Sequence, residues 1–452
     1  MGGGPGGYPG AIRAAELGLR VVLFEERGLG GECTLYGCVP TKTIMLYAAA
    51  LMALERLGLE ARPPPARLWE EARRVAEKLS GGIESLLERH GVRLVRARAR
   101  LAGGGVVEAA GRRYRARAVL LAPGSVPAAP PGVVVDNRRV LDNRGWLRRA
   151  PEPGERLLVV GGGPVGVEAA AAAAALGARV VLVEALPRIL PGLSRLASST
   201  VSRLLRRLGV EVHTGCPLEG LEEAEGGVAA SYCGLRGLYS RVLVATGRRP
   251  ATRGIGLEEA GVALDEKGYI VVDDYLETSV AGVFAAGDAT GPPLLAHKAI
   301  HQSLVAAGNA AAAMGRLAGG ARRYSPRAVP AVVHLGAAEA ASVGVSLDEA
   351  RARGLASARV RLGWSLYAET LGLAEGYAAV VYEPGSGRIV GFEAVAPGAG
   401  EVAAEAALAI EKGLGLEDVA SVVHPHPERS EQLVEAALAA LGLPLHYYRG
   451  RG

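Results

Sequence analysis

Hydrophobic positions change period repeatedly along this chain. Short apolar runs occur at residues 20–24, 118–121, 157–160, 180–183, 241–245 and 283–286. Runs of that length, bounded by Gly, Pro or a charge, read as buried strands. Ala-rich helical stretches precede the first run and lie between the third and fourth, which predicts βαβ units and a parallel sheet. Residues 43–57 and 68–90 carry helical spacing and flank Pro63-Pro64-Pro65, which breaks the helix between them. Residues 92–119 alternate as strands do. Residues 151–155 read as a linker, and from about residue 327 the pattern becomes α+β, with short strands at 330–334, 377–382 and 388–395 and a helix over 401–412.

Two of these units repeat. Near the start, Gly2, Gly4 and Gly7 fit G-x-G-x-x-G, and the strand after the helix ends at Glu25. The second copy has Gly161, Gly163 and Gly166, then a strand ending at Glu184. Each acid lies eighteen residues after its last glycine. The glycines permit a tight turn and let a pyrophosphate approach the helix N-terminus; the acid accepts from a ribose hydroxyl. Two copies predict two dinucleotide sites, and Glu184 favours NAD over NADP. Arg188 lies beyond the strand end. The first copy lacks the strand that should precede it, since only Met1 stands there. The expectation is an artificial start or a true start upstream. If Met1 is genuine, the first nucleotide site should be weakened.

Composition narrows the class. The 452 residues are 49% hydrophobic and 21% charged, which fits a globular chain of two to four domains. The net charge of +5 is spread among glutamates, so no nucleic-acid surface is expected. Lysine occurs only five times against abundant arginine, yet Lys42 and Lys298 both fall inside candidate motifs. Four cysteines make no secreted framework; they suit a reducing cytoplasm, with Cys216 and Cys233 expected to be inert. The apolar run at 169–176 is short, so no membrane span is expected.

The remaining cysteines lie in Gly30-Gly31-Glu32-Cys33-Thr34-Leu35-Tyr36-Gly37-Cys38-Val39-Pro40-Thr41-Lys42. On a regular helix five residues rise about 7.5 Å and turn about 500°. A disulfide wants a Cα separation of about 4.4–6.8 Å. A Cys33–Cys38 bond therefore needs a distorted helix start, which Gly37 permits. Two buried thiols, or half a zinc site, are the other readings of the pair by itself; no second Cys/His pair at ligand spacing accompanies it, and no metal is expected. This segment resembles the redox-active stretch of the flavin-dependent pyridine nucleotide–disulfide oxidoreductases (class I), the dihydrolipoamide dehydrogenase and glutathione reductase family. Further motifs resemble it too: Ala122-Pro123-Gly124-Ser125 (with Pro123 a departure), Thr246-Gly247-Arg248-Arg249-Pro250, Gly287-Asp288, Ala296-His297-Lys298-Ala299, and His424-Pro425-His426-Pro427-Glu428-Arg429-Ser430-Glu431. Residues 335–339 depart from the family pattern.

The resemblance implies an α/β fold: two Rossmann-like dinucleotide-binding domains plus a C-terminal α+β dimerisation domain. Residues 1–150 would bind FAD, 151–270 NAD, 271–326 return to the FAD-binding part, and 327–452 dimerise. It implies Cys38 as the charge-transfer thiolate nearer the flavin and Cys33 as the thiol that exchanges with substrate. His426, from the other subunit of a homodimer, would be the acid–base, oriented by Glu431. Lys42 and Glu168 would pair beside the flavin ring, and Asp288 would hold the ribityl chain. Gly124 and Gly247 would lie in cofactor-binding turns. The branch indicated is dihydrolipoamide dehydrogenase, acting on a lipoyl-bearing protein or small dithiol, with a 2-oxoacid dehydrogenase complex as a candidate partner. A glutathione reductase would prefer NADP. A mercuric reductase would carry a cysteine pair near its end, where these residues hold none. A flavin-less, non-catalytic paralogue is the reading from a different class.

Overall fold

The computed structural model describes residues 1–59, 64–373 and 375–446. Pro63 of the predicted helix break and the tail from Tyr447 lie outside them. The fold is α/β, and the chain divides into two compact units. The first comprises Met1–Thr43, Trp69–Ala128 and Gly247–Ser325; the second comprises Ile44–Leu68, Ala129–Thr246 and Pro326–Gly452. These units differ from the expected boundaries, since residues 129–150 group with the second and residues 247–270 with the first.

In the first unit, strand Val22–Phe24 pairs in parallel with Arg93–Val95, and Val119–Leu121 with Val283–Ala285. Met1 and Gly2 stand between these pairs. Met1 N donates to Leu120 O at 2.8 Å, Ala122 N to Met1 O at 2.8 Å, and Gly2 N to Phe24 O at 2.8 Å. Met1 and Gly2 thus bridge the two pairs at this level. Leu121, Val283 and Ala285 are at most 2% exposed, which explains their unbroken apolar sequence. Helix Tyr8–Glu16 packs on helix Ala296–Ala313. Strands Ala99–Leu101, Val106–Ala109 and Arg112–Arg115 form an antiparallel meander, realising the alternation in residues 92–119.

In the second unit, Arg156–Val160, Arg179–Glu184, Glu211–Thr214, Arg241–Val244 and Val140–Leu141 form a parallel sheet. Helix Pro164–Ala175 is buried along most of its length, so alanine on nearly every side is what its surroundings admit. A separate antiparallel sheet runs in the order Ala331–His334, Glu339–Gly344, Ile389–Ala396, Tyr377–Tyr382, Ala356–Arg361. Helices Ala399–Lys412, Leu416–Ser421 and Glu431–Ala440 cover it through one apolar core centred on Phe392, Val402 and Leu433. Leu335 N bonds Ala338 O at 2.8 Å, so the unusual loop there still closes a tight turn.

Two local details differ from the sequence reading. The helix expected from residue 43 begins at Cys38 and runs to Arg56. Pro40 lies in its first turn, where a missing N–H breaks no helical bond. Cys216 and Cys233, expected to be inert, are joined as a disulfide with Cα atoms 5.3 Å apart. The hairpin register sets Leu218 opposite Tyr232, which carries the two cysteines just beyond it to the same place.

Candidate active site

The first unit gathers three distant motifs around one turn. At the opening turn, a Cβ on Gly7 would lie 1.8 Å from Gly2 O, and one on Gly2 would lie 2.1 Å from Ala122 O. Only glycine fits either place. Gly3 N donates to Glu25 Oε2 at 2.7 Å, while Glu25 Oε1 accepts from Arg27 N and Gly28 N. The redox segment docks on this turn. Gly30 N donates to Gly3 O at 2.8 Å, and a Cβ on Gly31 would lie 2.8 Å from the Gly4 Cα. Gly287 reaches it as well, since a Cβ on Gly6 would lie 3.3 Å from the Gly287 Cα. Next to Gly287, Asp288 Oδ2 accepts from Ser125 Oγ at 2.5 Å. Arg248 donates through Nε to Ser125 Oγ at 2.6 Å and through Nη2 to Glu32 Oε2 at 3.1 Å. Gly124 and Gly247 flank this cluster with positive φ and open space beside them.

The cysteines sit on two helices. Gly31–Tyr36 ends at Gly37, with φ −150° and ψ −105°, and a new helix starts on Cys38. The break that a Cys33–Cys38 contact requires therefore falls at Gly37. Both residues are thiols, and a side-chain hydrogen bond joins them. That bond to Cys38, with burial next, pushes the Cys33 thiol far above the usual thiol range. Cys38, as the first residue of its helix, lies where exposed N–H groups favour negative charge. The same helix carries Lys42. By length and composition alone Gly31–Arg56 could cross a membrane, but the break at Gly37 divides it. Lys298 is buried; burial lowers its pKa against the pull of Asp288, and its Nζ donates to Gly291 O.

The second unit repeats the opening turn almost bond for bond. A Cβ on Gly166 would lie 1.9 Å from Gly161 O, and one on Gly161 would lie 2.4 Å from Ala245 O. Gly162 N donates to Glu184 Oε2 at 2.6 Å, a separation of 22 residues, as between Gly3 and Glu25. Leu186 N takes Glu184 Oε1. A carboxylate offers about four acceptor sites, so both acids keep capacity for a ribose hydroxyl. A Cβ on Gly163 would meet nothing, which leaves the mouth of the turn open to a ligand. Each turn thus offers a glycine cradle and a terminal acid, the set a dinucleotide needs. Arg188 is engaged by Asp348 at 2.9 Å. The Cys216–Cys233 disulfide lies close by, because Cys216 N donates to Glu184 O at 2.8 Å. Glu168 is buried on helix Pro164–Ala175 and accepts from His334 N at 3.0 Å. His426 Nδ1 lies 2.7 Å from Glu431 Oε1, whose other oxygen accepts from Glu428 N at 3.0 Å. The imidazole is half exposed and Glu431 is buried, so the ring's Nε2 is the nitrogen left for chemistry.

Residues 1–303 match the pyridine nucleotide-disulphide oxidoreductase family. The chain belongs to that family. Residues 329–437 match the dimerisation domain of the pyridine nucleotide-disulphide oxidoreductases, and the protein is a homodimer. As a family member it is an FAD-dependent disulfide oxidoreductase that uses NAD. It is 39% identical to the dihydrolipoyl dehydrogenase of Thermus scotoductus, over 99% of this chain and 97% of that protein. It is 35% identical to the dihydrolipoyl dehydrogenase of Geobacillus stearothermophilus, over 99% and 96%. Among solved structures, LpdA of Mycobacterium tuberculosis superposes with a TM-score of 0.88 at 27% identity, covering 97% of this chain and 98% of that one. Ser125, Arg248 and Glu32 stand in motifs quoted from the sequence, where they were given no role; they lie up to 216 residues apart in the chain, and only the fold joins them.

Proposed function

We propose that this family member oxidises a dihydrolipoyl group with NAD⁺, giving the cyclic lipoyl disulfide, NADH and a proton. The docking of the cysteine helix onto the opening nucleotide turn carries the reading, because it sets a dithiol pair beside a dinucleotide cradle. Full-length similarity to dihydrolipoyl dehydrogenases supports the choice of substrate. We assign residues 1–150 and 271–326 to the FAD part, 151–270 to the NAD part and 327–452 to dimerisation. Gly2, Gly4, Gly7, Glu25, Gly124, Gly247 and Asp288 would hold FAD, and Gly161, Gly163, Gly166 and Glu184 would hold NAD. FAD supplies the path for two electrons between the cysteine pair and NAD.

The protein's own groups do the thiol chemistry. His426 Nε2, contributed across the dimer, takes the proton from a substrate thiol, because only a thiolate attacks a disulfide. Glu431 at Nδ1 fixes the tautomer and stabilises the imidazolium. The substrate thiolate attacks Cys33 Sγ in the oxidised Cys33–Cys38 pair; the S–S bond breaks and Cys38 leaves as thiolate. The second substrate thiol then displaces Cys33 and closes the lipoyl ring. The helix start at Cys38 favours the departing charge. Lys42 and Glu168 supply the charges that family members place beside the flavin ring. A lipoyl-bearing protein, within a cytoplasmic 2-oxoacid dehydrogenase complex, is the partner this chemistry fits.

The test is to assay the purified FAD-loaded dimer with NAD⁺ and dihydrolipoamide, and with NADH and glutathione disulfide. Preference for the lipoyl substrate, lost in Cys38→Ser, is expected. A protein without flavin, or one that prefers glutathione disulfide, would overturn the reading.

A further inference from the structure

Two imidazole–carboxylate pairs stand side by side at helix Glu431–Ala440. Glu431 and Glu435 are four residues apart, so they share a helix face. Both are buried, at 8% and 2% exposure. His426 Nδ1 contacts Glu431, and His446 Nδ1 lies 2.7 Å from Glu435 Oε1. The imidazole rings stack, with centroids 6.3 Å apart and planes 16° apart. Trp364 also stacks on His446, at 5.9 Å and 10°. Glu435 Oε2 is buried with no hydrogen-bond partner among the described residues. A carboxyl group held this deep is costly unless a hydrogen-bond partner answers it. His446 is the group placed to do so.

Among the described residues, other charged groups of this region have partners of their own. Glu428 bonds Glu431 through its backbone N–H. Arg429 is engaged by Glu401 and Tyr367, and His424 by Glu405. Strand Ala356–Arg361, packed against the helix, buries Val360 and keeps Arg359 and Arg361 exposed.

We propose that His446, braced by Glu435, is a positioning residue for His426: its ring, stacked between Trp364 and His426, fixes the plane of the acid–base imidazole. This rests on the reading of His426 given above.

The experiment uses the FAD-loaded dimer and the variants His446→Phe, His446→Ala and His426→Gln. Flavin content and melting temperature report folding. Phenylalanine keeps an aromatic ring between Trp364 and His426, so its kcat should stay within about threefold of the wild type. Alanine removes the ring and should lower kcat about tenfold with KM for dihydrolipoamide little changed. His446→Ala with wild-type kcat, or a loss of kcat that His446→Phe does not restore, overturns the proposal. His426→Gln with undiminished dithiol turnover would instead sink the acid–base reading itself.

Discussion

Adding one methyl group to the second nucleotide turn should have opposite effects at two glycines three residues apart. At Gly163 the backbone is extended, with φ −74° and ψ −179°, and alanine adopts it freely. The new Cβ would touch nothing in the protein and would project into the mouth of the turn. A pyrophosphate seated there would be pushed back by about 1 Å, weakening at least one charge-assisted hydrogen bond worth about 1.5–3 kcal/mol. At about 1.4 kcal/mol per tenfold, NADH affinity should drop about 10- to 100-fold with the melting temperature unmoved. At Gly166 the new Cβ would sit 1.9 Å from Gly161 O and 3.2 Å from Val159 Cγ1. Helix and strand must separate by more than about 1 Å, which costs about 1–3 kcal/mol of stability and about 2–4 °C of melting temperature per kcal/mol. Thermal melts of the FAD-loaded dimer, with NADH titrated against its flavin fluorescence, measure both. If Gly163→Ala binds NADH within twofold of the wild type, the pyrophosphate does not lie on this turn.

Three further outcomes follow from the geometry. His426→Gln should lower dihydrolipoamide turnover about 10²- to 10⁴-fold, with Glu431→Gln intermediate; steady-state kinetics at saturating NAD⁺ decide it. Glu184→Ala should lower NADH affinity without improving NADPH to parity, because Arg188 is held by Asp348; the two KM values check this. Burial opposes ionisation of Glu155, but bonds from Arg241 outweigh it, so its pKa lies below the usual 4.5. A folded-state pKa below the unfolded one means that this stability is full above pH 4.5 and is lost as pH falls through the folded value. Arg241→Met, which strands that carboxylate, should cost about 3–5 kcal/mol near neutrality and less in acid, read from denaturant melts at several pH values.

The nucleotide turns were legible because part of the requirement is local: Gly7 and Gly166 answer to the backbone oxygens of Gly2 and Gly161 in the same turn, whereas Gly2 and Gly161 answer to Ala122 O and Ala245 O at the ends of distant strands. The His426–Glu431 pair was legible only through the resemblance, since a histidine five residues before a glutamate is common in loops that lead into helices. The Cys33–Cys38 pair was legible through the resemblance; spacing showed only that a contact needs a distorted helix start, and the break falls at Gly37. What stayed hidden depends on long-range register. Arg248 meets Ser125 across 123 residues, and Cys216 meets Cys233 only because a hairpin pairs Leu218 with Tyr232. His446 gave no signal, since a lone histidine in a tail has no periodicity to mark it. Helix Cys38–Arg56 begins five residues before expectation, and Pro40 is tolerated in its first turn.

In both nucleotide turns the carboxylate that would grip the ribose also grips the turn. Glu184 holds Gly162 N and Leu186 N, and Glu25 holds Gly3 N, Arg27 N and Gly28 N. Cofactor choice is thereby welded to local architecture. A lineage or an engineer that exchanges the acid to admit a phosphorylated ribose also strips the loop of its own brace, at about 1.5–3 kcal/mol for each bond to the charged group. Any route from one coenzyme to the other must rebuild the loop first and alter its selectivity second.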